Sequence, residues 1–402
     1  MFRSNLARAA ALASPIFLST VAYADSQTTK KPFGVYIWGD NSNSLISTDG
    51  EKAIREPVFV GYFKDKRLRD LAISPQVAVA VLTNGKTIQW TKADEQYQVL
   101  PKETIEQVKV YDDLVVARSN SGKLFCWHSA SNLQQVHQFK LKAKLGWFEK
   151  IVDFEMGRDH VLAMTNKGKV FSGLCNELDK HKGQLGIAQY SSYDPAPPAF
   201  ELHQVKLLDS EVQKISCGDE HSLFLTKDGS VFGCGSNLYG QLALPFNFSK
   251  PNYSVPTKAK VSQVNNVSSG CNTSYFVTND NKVLTCGNGI NGLFATGSFA
   301  HVQDTPIHIP TLESLSEFDE KLHVTVPIVP DRWSISSTHV FARLSNSSKD
   351  WYLWGSNLTG QLGNGKLSKV IKPSHIRASE LDARVEGNTF VSGPGISGCY
   401  QN

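Results

Sequence analysis

The chain lacks closely paired cysteines, long apolar runs beyond its first residues and any large excess of one charge. Its seven cysteines are odd in number and scattered, and no Cys-x-x-Cys occurs, so neither a disulfide framework nor a zinc site is indicated. A net charge of +4 over 402 residues argues against nucleic acid as a ligand. Beyond the N-terminus no run of about 18 apolar residues is present, so no internal membrane span is expected.

Motifs of covalent catalysis are also absent. The chain contains no Gly-x-Ser-x-Gly elbow, no Walker A phosphate loop and no His-Glu-x-x-His zinc motif. The glycine-rich segment GNGING at residues 287–292 ends a strand pattern and no helix pattern follows it, so we interpret it as a turn and not as a nucleotide loop. We therefore expect a binding protein with no catalytic residues, no cofactor and no metal.

Residues 1–24 have the composition of a targeting segment. Arg3 and Arg8 accompany an apolar stretch at residues 9–23, and the first acidic residue is Asp25. One interpretation is a mitochondrial presequence whose apolar stretch is a marginal inner-membrane anchor. The alternative is a secretory signal cleaved after Ala24. The unpaired cysteines favour the mitochondrion, and the secretory alternative stays open.

The rest of the chain repeats one pattern: an apolar run, a turn with Gly or Asn, a second apolar run and a Gly-x-Asn ending. The clearest copy is VQKISCGDEHSLFLTKDGSVFGCGSNLYGQLAL at residues 212–244, and other copies start near residues 72, 108, 151, 264 and 333. In SLFLT-KDG-SVFGC two strand-like runs flank a turn whose Gly supplies positive φ. A single hairpin cannot bury its own faces, but hairpins stacked around an axis can.

A seventh copy is divided between the chain ends. Residues 33–45 (FGVYIWGDNSNSL) have the strand and the ending, whereas residues 383–393 (ARVEGNTFVSG) have only a first half. Pairing the two would close the ring and remove its exposed edges. The sequence therefore predicts an all-β, seven-bladed β-propeller over residues 33–402, closed by strands from both termini.

The segments GDEHSLFLTKDGSVFGCGSNLYGQL and YLWGSNLTGQLGNG resemble the repeats of the regulator-of-chromosome-condensation family, and the resemblance covers roughly residues 33–399. Thr91 and His128 replace the ending glycine in the first two copies. With its N-terminal segment the chain is similar to the mitochondrial inner-membrane branch of that family. The resemblance implies respiratory-chain assembly, mitochondrial ribosome and RNA maturation, or nucleotide exchange on a fusion GTPase.

Gly-x-x-His-type loops recur in the copies, as GRDH and GDEH. Their histidines fall in different blades without recurring carboxylate partners, so we expect hydrogen bonds to neighbouring loops and not a metal site. Exchange factors of the family use acidic and His side chains of such loops, so the resemblance marks Asp159, His160, Asp219 and His221 as candidate partner-binding residues. Alternatively, the two aspartates bond to amides of their own loops.

Extra residues between repeats give a second set of candidates. The loop between Gly173 and Gly183 has five more residues than the equivalent loop between Gly235 and Gly240. The charged residues of the longer loop are Glu177, Asp179, Lys180 and Lys182. The resemblance implies a wedge that enters a GTPase, although this loop is short for one. Residues 189–211 and 297–331 are expected to be longer insertions between blades, either partner-binding or simply solvated.

Three functions remain open at this point. The first is a monomeric mitochondrial scaffold or assembly factor, associated with the inner membrane, whose partner is a subunit of a respiratory or gene-expression complex. The second is a guanine-nucleotide exchange factor for a small or dynamin-like GTPase. The third is a secreted propeller that binds an extracellular protein.

Overall fold

The computed structural model describes residues 32–93, 95–100, 102–130, 135–206, 211–297, 299–376 and 388–402. The regular secondary structure of this part of the chain is almost entirely β, with one short helix, α1 (Pro310–Glu313), and one 3-10 turn, Gly61–Phe63. No helix within these ranges has the length and apolar character that crossing a membrane requires. The proposed targeting segment at residues 1–24 lies outside the described residues.

Six blades follow one another along the chain, and each is an antiparallel sheet of four strands that we designate a to d in chain order. Two strands, β1 (Val35–Asp40) and β2 (Ala53–Phe59), precede them. Blade 1 has β3 (Leu68–Ile73), β4 (Ala78–Leu82), β5 (Thr87–Trp90) and β6 (Tyr97–Val99). Blade 2 has β7 (Ile105–Tyr111), β8 (Leu114–Ser119), β9 (Leu124–His128) and β10 (His137–Gln138). Blade 3 has β12 (Ile151–Met156), β13 (His160–Thr165), β14 (Val170–Leu174) and β15 (Glu201–Val205), with β11 (Lys140–Leu141) added parallel to β15.

The second half of the chain continues this order. Blade 4 has β16 (Val212–Cys217), β17 (His221–Thr226), β18 (Val231–Ser236) and β19 (Asn252–Lys258). Blade 5 has β20 (Val264–Gly270), β21 (Thr273–Thr278), β22 (Val283–Gly287) and β23 (Gln303–His308). A separate hairpin, β24 (Ser316–Asp319) and β25 (Val324–Pro327), precedes blade 6, which has β26 (Pro330–Ile335), β27 (His339–Leu344), β28 (Trp351–Gly355) and β29 (Val370–His375).

The seventh blade closes the ring with strands from both ends of the described chain. Its order is β2-β1-β31-β30, where β30 (Asn388–Gly393) and β31 (Ile396–Gln401) are the last two strands. Strand β1 pairs with β31 in antiparallel register, with Val35 opposite Tyr400 and Trp38 opposite Ser397. The predicted seven-bladed propeller and its closure by both termini are confirmed.

The hairpin turns follow the predicted chemistry. Strand b of blade 4 is wholly buried, and the turn after it closes with a hydrogen bond from the amide of Thr226 to the carbonyl of Ser230 at 2.9 Å. Gly229 in this turn has a φ of 79°, which an L-residue rarely adopts. A short Gly-containing turn therefore brings two apolar strands together, and their faces are buried by neighbouring blades.

The prediction that residues 189–211 and 297–331 are insertions between blades is wrong in one respect, because each segment contains the fourth strand of a blade. Residues 189–211 include β15, and residues 297–331 include β23 together with α1 and the extra hairpin. Strands d lie at the rim of the propeller and are only partly buried, as the mixed burial of β19 and β23 shows. Strand β23 has no buried face, and in β15 the two buried residues, Leu202 and Val205, are three positions apart, so neither strand shows an alternating apolar pattern.

A polar cavity of about 480 Å³ lies on the propeller axis and is lined by strands a of all seven blades. In its wall Lys109 of blade 2 and Glu155 of blade 3 form an ion pair at 3.1 Å, and Gln107 Nε2 donates to Asp153 Oδ1 at 2.9 Å. Burial raises the pKa of Asp70, which also accepts a hydrogen bond from the amide of Val108 at 2.9 Å. These polar groups satisfy one another between adjacent blades.

Candidate partner-binding face

Because strand directions alternate, the a–b loops and the c–d loops emerge on one face of the propeller, the front face. The b–c turns and the d–a connections emerge on the opposite face, the back face. The candidate residues all lie at the front-face ends of blades 3 and 4, where His160 and His221 begin strands b and the others lie in loops: Asp159, Asp219, Glu177, Asp179, Lys180 and Lys182.

The histidines of these loops bond to the next blade. Nε2 of His160 lies 3.0 Å from the hydroxyl of Ser222, and Nε2 of His221 lies 3.1 Å from that of Ser274. The hydroxyl of Ser222 donates in turn to the carbonyl of Gln184 at 2.7 Å, so its oxygen is free to accept from the imidazole. The two signature pieces of the repeat, Gly-x-x-His and Gly-Gln-Leu, thus meet at one serine of the following blade.

Burial decides what these histidines can do. His160 and His221 have no exposed surface, and burial lowers the pKa of each to about 3, so both imidazoles are neutral. A methyl group on Gly157 would lie 2.2 Å from Cε1 of His160, which explains the glycine of the motif. The proposed contact of His160 and His221 with a partner therefore needs correction: their side chains connect blades and do not reach the surface.

The two aspartates differ in availability. The Asp219 side chain is only 9% exposed and pairs with Arg158, whose Nη2 lies 3.2 Å from Asp219 Oδ2. Asp159 is half-buried, and its carboxylate makes no hydrogen bond or ion pair with any residue that the structure describes. Asp159 is therefore free to pair with an external cation, whereas Asp219 serves mainly to hold Arg158.

Further carboxylates surround this position. The front-face loop of blade 2 contributes Asp112 and Asp113, and blade 4 contributes Glu220, which lies 3.3 Å from Nη1 of Arg158. Burial raises the pKa of Asp112, and the nearby negative charges of Asp113, Asp219 and Asp159 raise it further. We call these five acids the acidic cluster: Asp112, Asp113, Asp159, Asp219 and Glu220. Arg158 compensates only part of its charge, so the cluster favours a cationic partner surface.

The blade 3 c–d loop is exposed where the sequence predicts it to be charged. Asp179, Lys180 and Lys182 are exposed, and Glu177 accepts a 3.3 Å hydrogen bond from the amide of Ala199. The loop is tied to the a–b loop of the same blade, since the amide of Cys175 donates to the carbonyl of Asp159 at 2.9 Å. The start of this charged loop thus lies beside Asp159.

Sequence reasoning missed a row of apolar side chains on the same face. Leu238, Ile290 and Leu358 are 42%, 51% and 68% exposed and occupy one position of the c–d loops in blades 4, 5 and 6. The signal was the repeated Leu or Ile next to Asn in SNLYG, GNGING and SNLTG. The front face therefore combines an acidic half, over blades 2 to 4, with exposed apolar side chains over blades 4 to 6.

Six of the seven cysteines are buried, and Cys271 is partly buried. Burial raises the pKa of Cys286 and Cys399 to about 12, so these thiols are not nucleophiles. In the ranges that the structure covers, no three His, Cys, Asp or Glu side chains converge on a point where a metal ion could bind. The geometry of the front face is suited to binding.

Comparison with known proteins agrees with the repeat pattern of the chain. Residues 212–241 match the sequence model described as "Regulator of chromosome condensation (RCC1) repeat". The mitochondrial protein FMP25 of Saccharomyces cerevisiae is 26% identical over 85% of this chain and 65% of its own length. The mouse RCC1-like G exchanging factor-like protein is 31% identical over 56% of this chain and 45% of its own length. The chain thus spans less than two thirds of these relatives.

Solved structures share the fold. Human WBSCR16 superposes with a TM-score of 0.73 at 18% identity, covering 92% of this chain and 99% of that one. Prp20p of Saccharomyces cerevisiae, whose reported binding properties concern Gsp1p and histones, superposes with a TM-score of 0.65 at 15% identity, covering 93% of each chain. The chain thus contains a repeat of the regulator of chromosome condensation type and shares the seven-bladed propeller fold of proteins built from such repeats.

Proposed function

We propose that this chain is a non-catalytic, protein-binding propeller of mitochondria and that its partner binds the front face over blades 2 to 4. The observation that carries the proposal is the acidic cluster, in which the carboxylate of Asp159 has no hydrogen-bond or ion-pair partner among the described residues. The mitochondrial location is supported by the similarity to yeast FMP25 and by an N-terminal segment that contains Arg3 and Arg8 but no acid. The partner in this proposal is a subunit of a respiratory-chain or gene-expression complex during its assembly.

Reversing the charge of Asp159 tests the front face. We expect Asp159→Lys to reduce recovery of the partner about tenfold, because the substitution places like charges opposite each other across the contact. The tagged full-length chain is purified from mitochondria after reversible cross-linking, and recovered proteins are quantified. Glu320→Lys is the matched control, since Glu320 is exposed in the connection between blades 5 and 6. Equal recovery of every protein with both variants would contradict the proposal.

Guanine-nucleotide exchange is the second candidate. It is favoured by Asp159 and Asp219 in GxDH-type loops and by relatives named RCC1-like G exchanging factor-like protein. Such activity needs no covalent step, because an exchange factor acts by stabilising the nucleotide-free GTPase over the nucleotide-bound form. The blade 3 c–d loop, with Lys180 and Lys182 exposed, is the segment that would enter the GTPase.

Nucleotide release measures this activity directly. The full chain is expected to accelerate release of a fluorescent guanine nucleotide from its GTPase, and Asp159→Ala is expected to reduce the rate about tenfold through the loss of one charged contact. The candidates are mitochondrial small and dynamin-like GTPases that co-purify with the chain. If the chain accelerates release from none of them, exchange is excluded and the scaffold proposal is unaffected.

Localisation separates the mitochondrial proposal from a secreted propeller. Import with protease protection inside isolated mitochondria supports the former. Cleavage after Ala24 together with glycan on Asn252 or Asn272 would overturn it.

A further inference from the structure

The back face carries an apolar tip that the front-face function does not use. Trp147 and Phe148 are adjacent and 87% and 92% exposed, the highest values among the large apolar side chains of the described residues. They lie in the connection between β11 and β12, which belongs to the back face. Two neighbouring aromatic rings in water are unfavourable for an isolated soluble domain, so their exposure calls for an apolar binding partner.

The tip is held in place and is not a loose loop. The Glu149 side chain is fully buried beneath it and accepts hydrogen bonds from the amide of Gly146 at 2.9 Å and from the hydroxyl of Thr165 at 3.0 Å. The side-chain amide of Asn166 donates to the carbonyl of Phe148 at 2.9 Å. Phe148 itself has a φ of 56°, an uncommon conformation for a bulky residue. The surrounding contacts therefore maintain a strained backbone that presents both rings outward.

Lysines surround the tip. Lys144 and Lys150 flank it in the chain, and Lys167 and Lys169 extend from the neighbouring b–c turn of blade 3; all four are exposed. Within residues 144–150 and 165–169 the one acid is Glu149, which pairs with Lys169 at 3.0 Å and has no exposed side chain. Glu211 lies against the same turn, beside Gly168, and pairs with Lys227. A pair of aromatic rings inside a cationic rim is complementary to the interface of an anionic bilayer, where rings enter the headgroup region and lysines meet lipid phosphates.

Two other surfaces of the described propeller differ from the tip in charge. The connection between blades 5 and 6 exposes Phe318 and Leu322, but the acids Glu317, Asp319 and Glu320 lie beside them. The front face has the acidic cluster, which an anionic surface would repel. Strand β1, the first described strand, is strand c of the seventh blade and therefore starts at the back face. Trp147 and Phe148 lie on the same face.

We infer that Trp147 and Phe148, with the rim of Lys144, Lys150, Lys167 and Lys169, form a docking site for the surface of an anionic lipid bilayer. Both rings enter the headgroup region, and the front face then points away from the membrane. The propeller is thereby oriented with its acidic cluster available to a partner. This site goes beyond the proposed protein-binding function and does not depend on it.

Trp147 reports on the contact. The full chain is mixed with vesicles of phosphatidylcholine alone or of equal parts phosphatidylcholine and phosphatidylglycerol, and tryptophan emission is recorded. Subtraction of the spectrum of Trp147→Phe, which keeps an apolar ring at the tip, isolates Trp147. With the anionic vesicles we expect its emission to shift to shorter wavelength and to be quenched by lipids labelled near the headgroup. This readout is local, so lipid binding by any other part of the chain does not produce it.

Affinity is tested with matched variants. The double variant Trp147→Ser/Phe148→Ser is expected to weaken binding to anionic vesicles at least about tenfold, because two aromatic surfaces stay in water. Lys144→Gln and Lys167→Gln should each weaken it about fivefold. Phe248→Ser, at an 82% exposed position of the front face, is the control and should have no effect.

Two results would overturn the inference. One is an unshifted Trp147 emission with anionic vesicles, and the other is equal binding to these vesicles by the double serine variant and the unsubstituted chain. If the emission of Trp147 shifts when a protein is added but not when vesicles are added, the site binds a protein partner and the inference is overturned. Asp159→Lys should leave vesicle binding unchanged, so failure of this site and failure of the front-face proposal are distinguishable.

Discussion

Acidification from about pH 7 to about pH 5 is expected to lower the free energy of unfolding by roughly 2 kcal/mol for each of three buried histidines. Burial lowers the pKa of His160, His221 and His339 to about 3 in the folded chain. In the unfolded chain an imidazole titrates near its ordinary value, about 6.5. Between these values the unfolded state binds more protons, so the stability is complete above about pH 6.5 and falls as the pH decreases.

The slope of stability against pH is the quantity to measure. Urea unfolding, followed by the fluorescence of the buried tryptophans, is repeated across this pH range. Burial also lowers the pKa of His181 and His203. The slope measured on the unsubstituted chain therefore does not isolate the contribution of the three fully buried histidines. His221→Gln should reduce the slope by about 1 kcal/mol per pH unit averaged over this range, which is the share of one histidine. An unchanged slope in this variant would contradict a neutral, buried His221.

Replacing Trp38 by alanine is expected to cost about 3–5 kcal/mol, the range for an aromatic side chain removed from a core. Trp38 is fully buried in the closing blade, and its ring lies 6.4 Å from that of Phe341 in blade 6 and 6.2 Å from that of Phe390 in blade 7. Its indole Nε1 also donates to the carbonyl of Gln361 at 2.9 Å. The substitution therefore opens a cavity where the N-terminal strand β1 meets the end of the chain.

Trp147→Ala provides the matched control, because the same side chain is removed from an exposed position. Its effect on the free energy of unfolding should stay within about 0.5 kcal/mol. Thermal and urea unfolding of both variants measure the difference. A loss of under about 1 kcal/mol in Trp38→Ala would mean that the closing blade contributes little to the stability of the ring.

Some residues of the candidate site could be predicted from the local sequence, and others could not. Asp159 and the charged loop around Lys180 were found because the motif and the extra residues are visible in the chain. Arg158 and Asp112 were missed as a group, because their proximity depends on the stacking of blades 2, 3 and 4. His160 and Asp159 are neighbours in the sequence, yet one is fully buried and the other is available, and no local pattern distinguishes them.

The sequence alone determined the strand pattern, the number of blades and the closure of the ring. Apolar alternation and Gly-containing turns are local properties, and a hairpin such as β17–β18 can bury its faces only against another hairpin. Only the tertiary structure decided which polar side chains are free. The signature histidines bond to serines of the next blade, strands such as β23 lie at the rim without a buried face, and Trp147 and Phe148 are exposed because buried Glu149 holds their loop. Each of these depends on residues distant in the chain, so the packing of neighbouring blades, and not the repeat itself, determines the surfaces of this propeller.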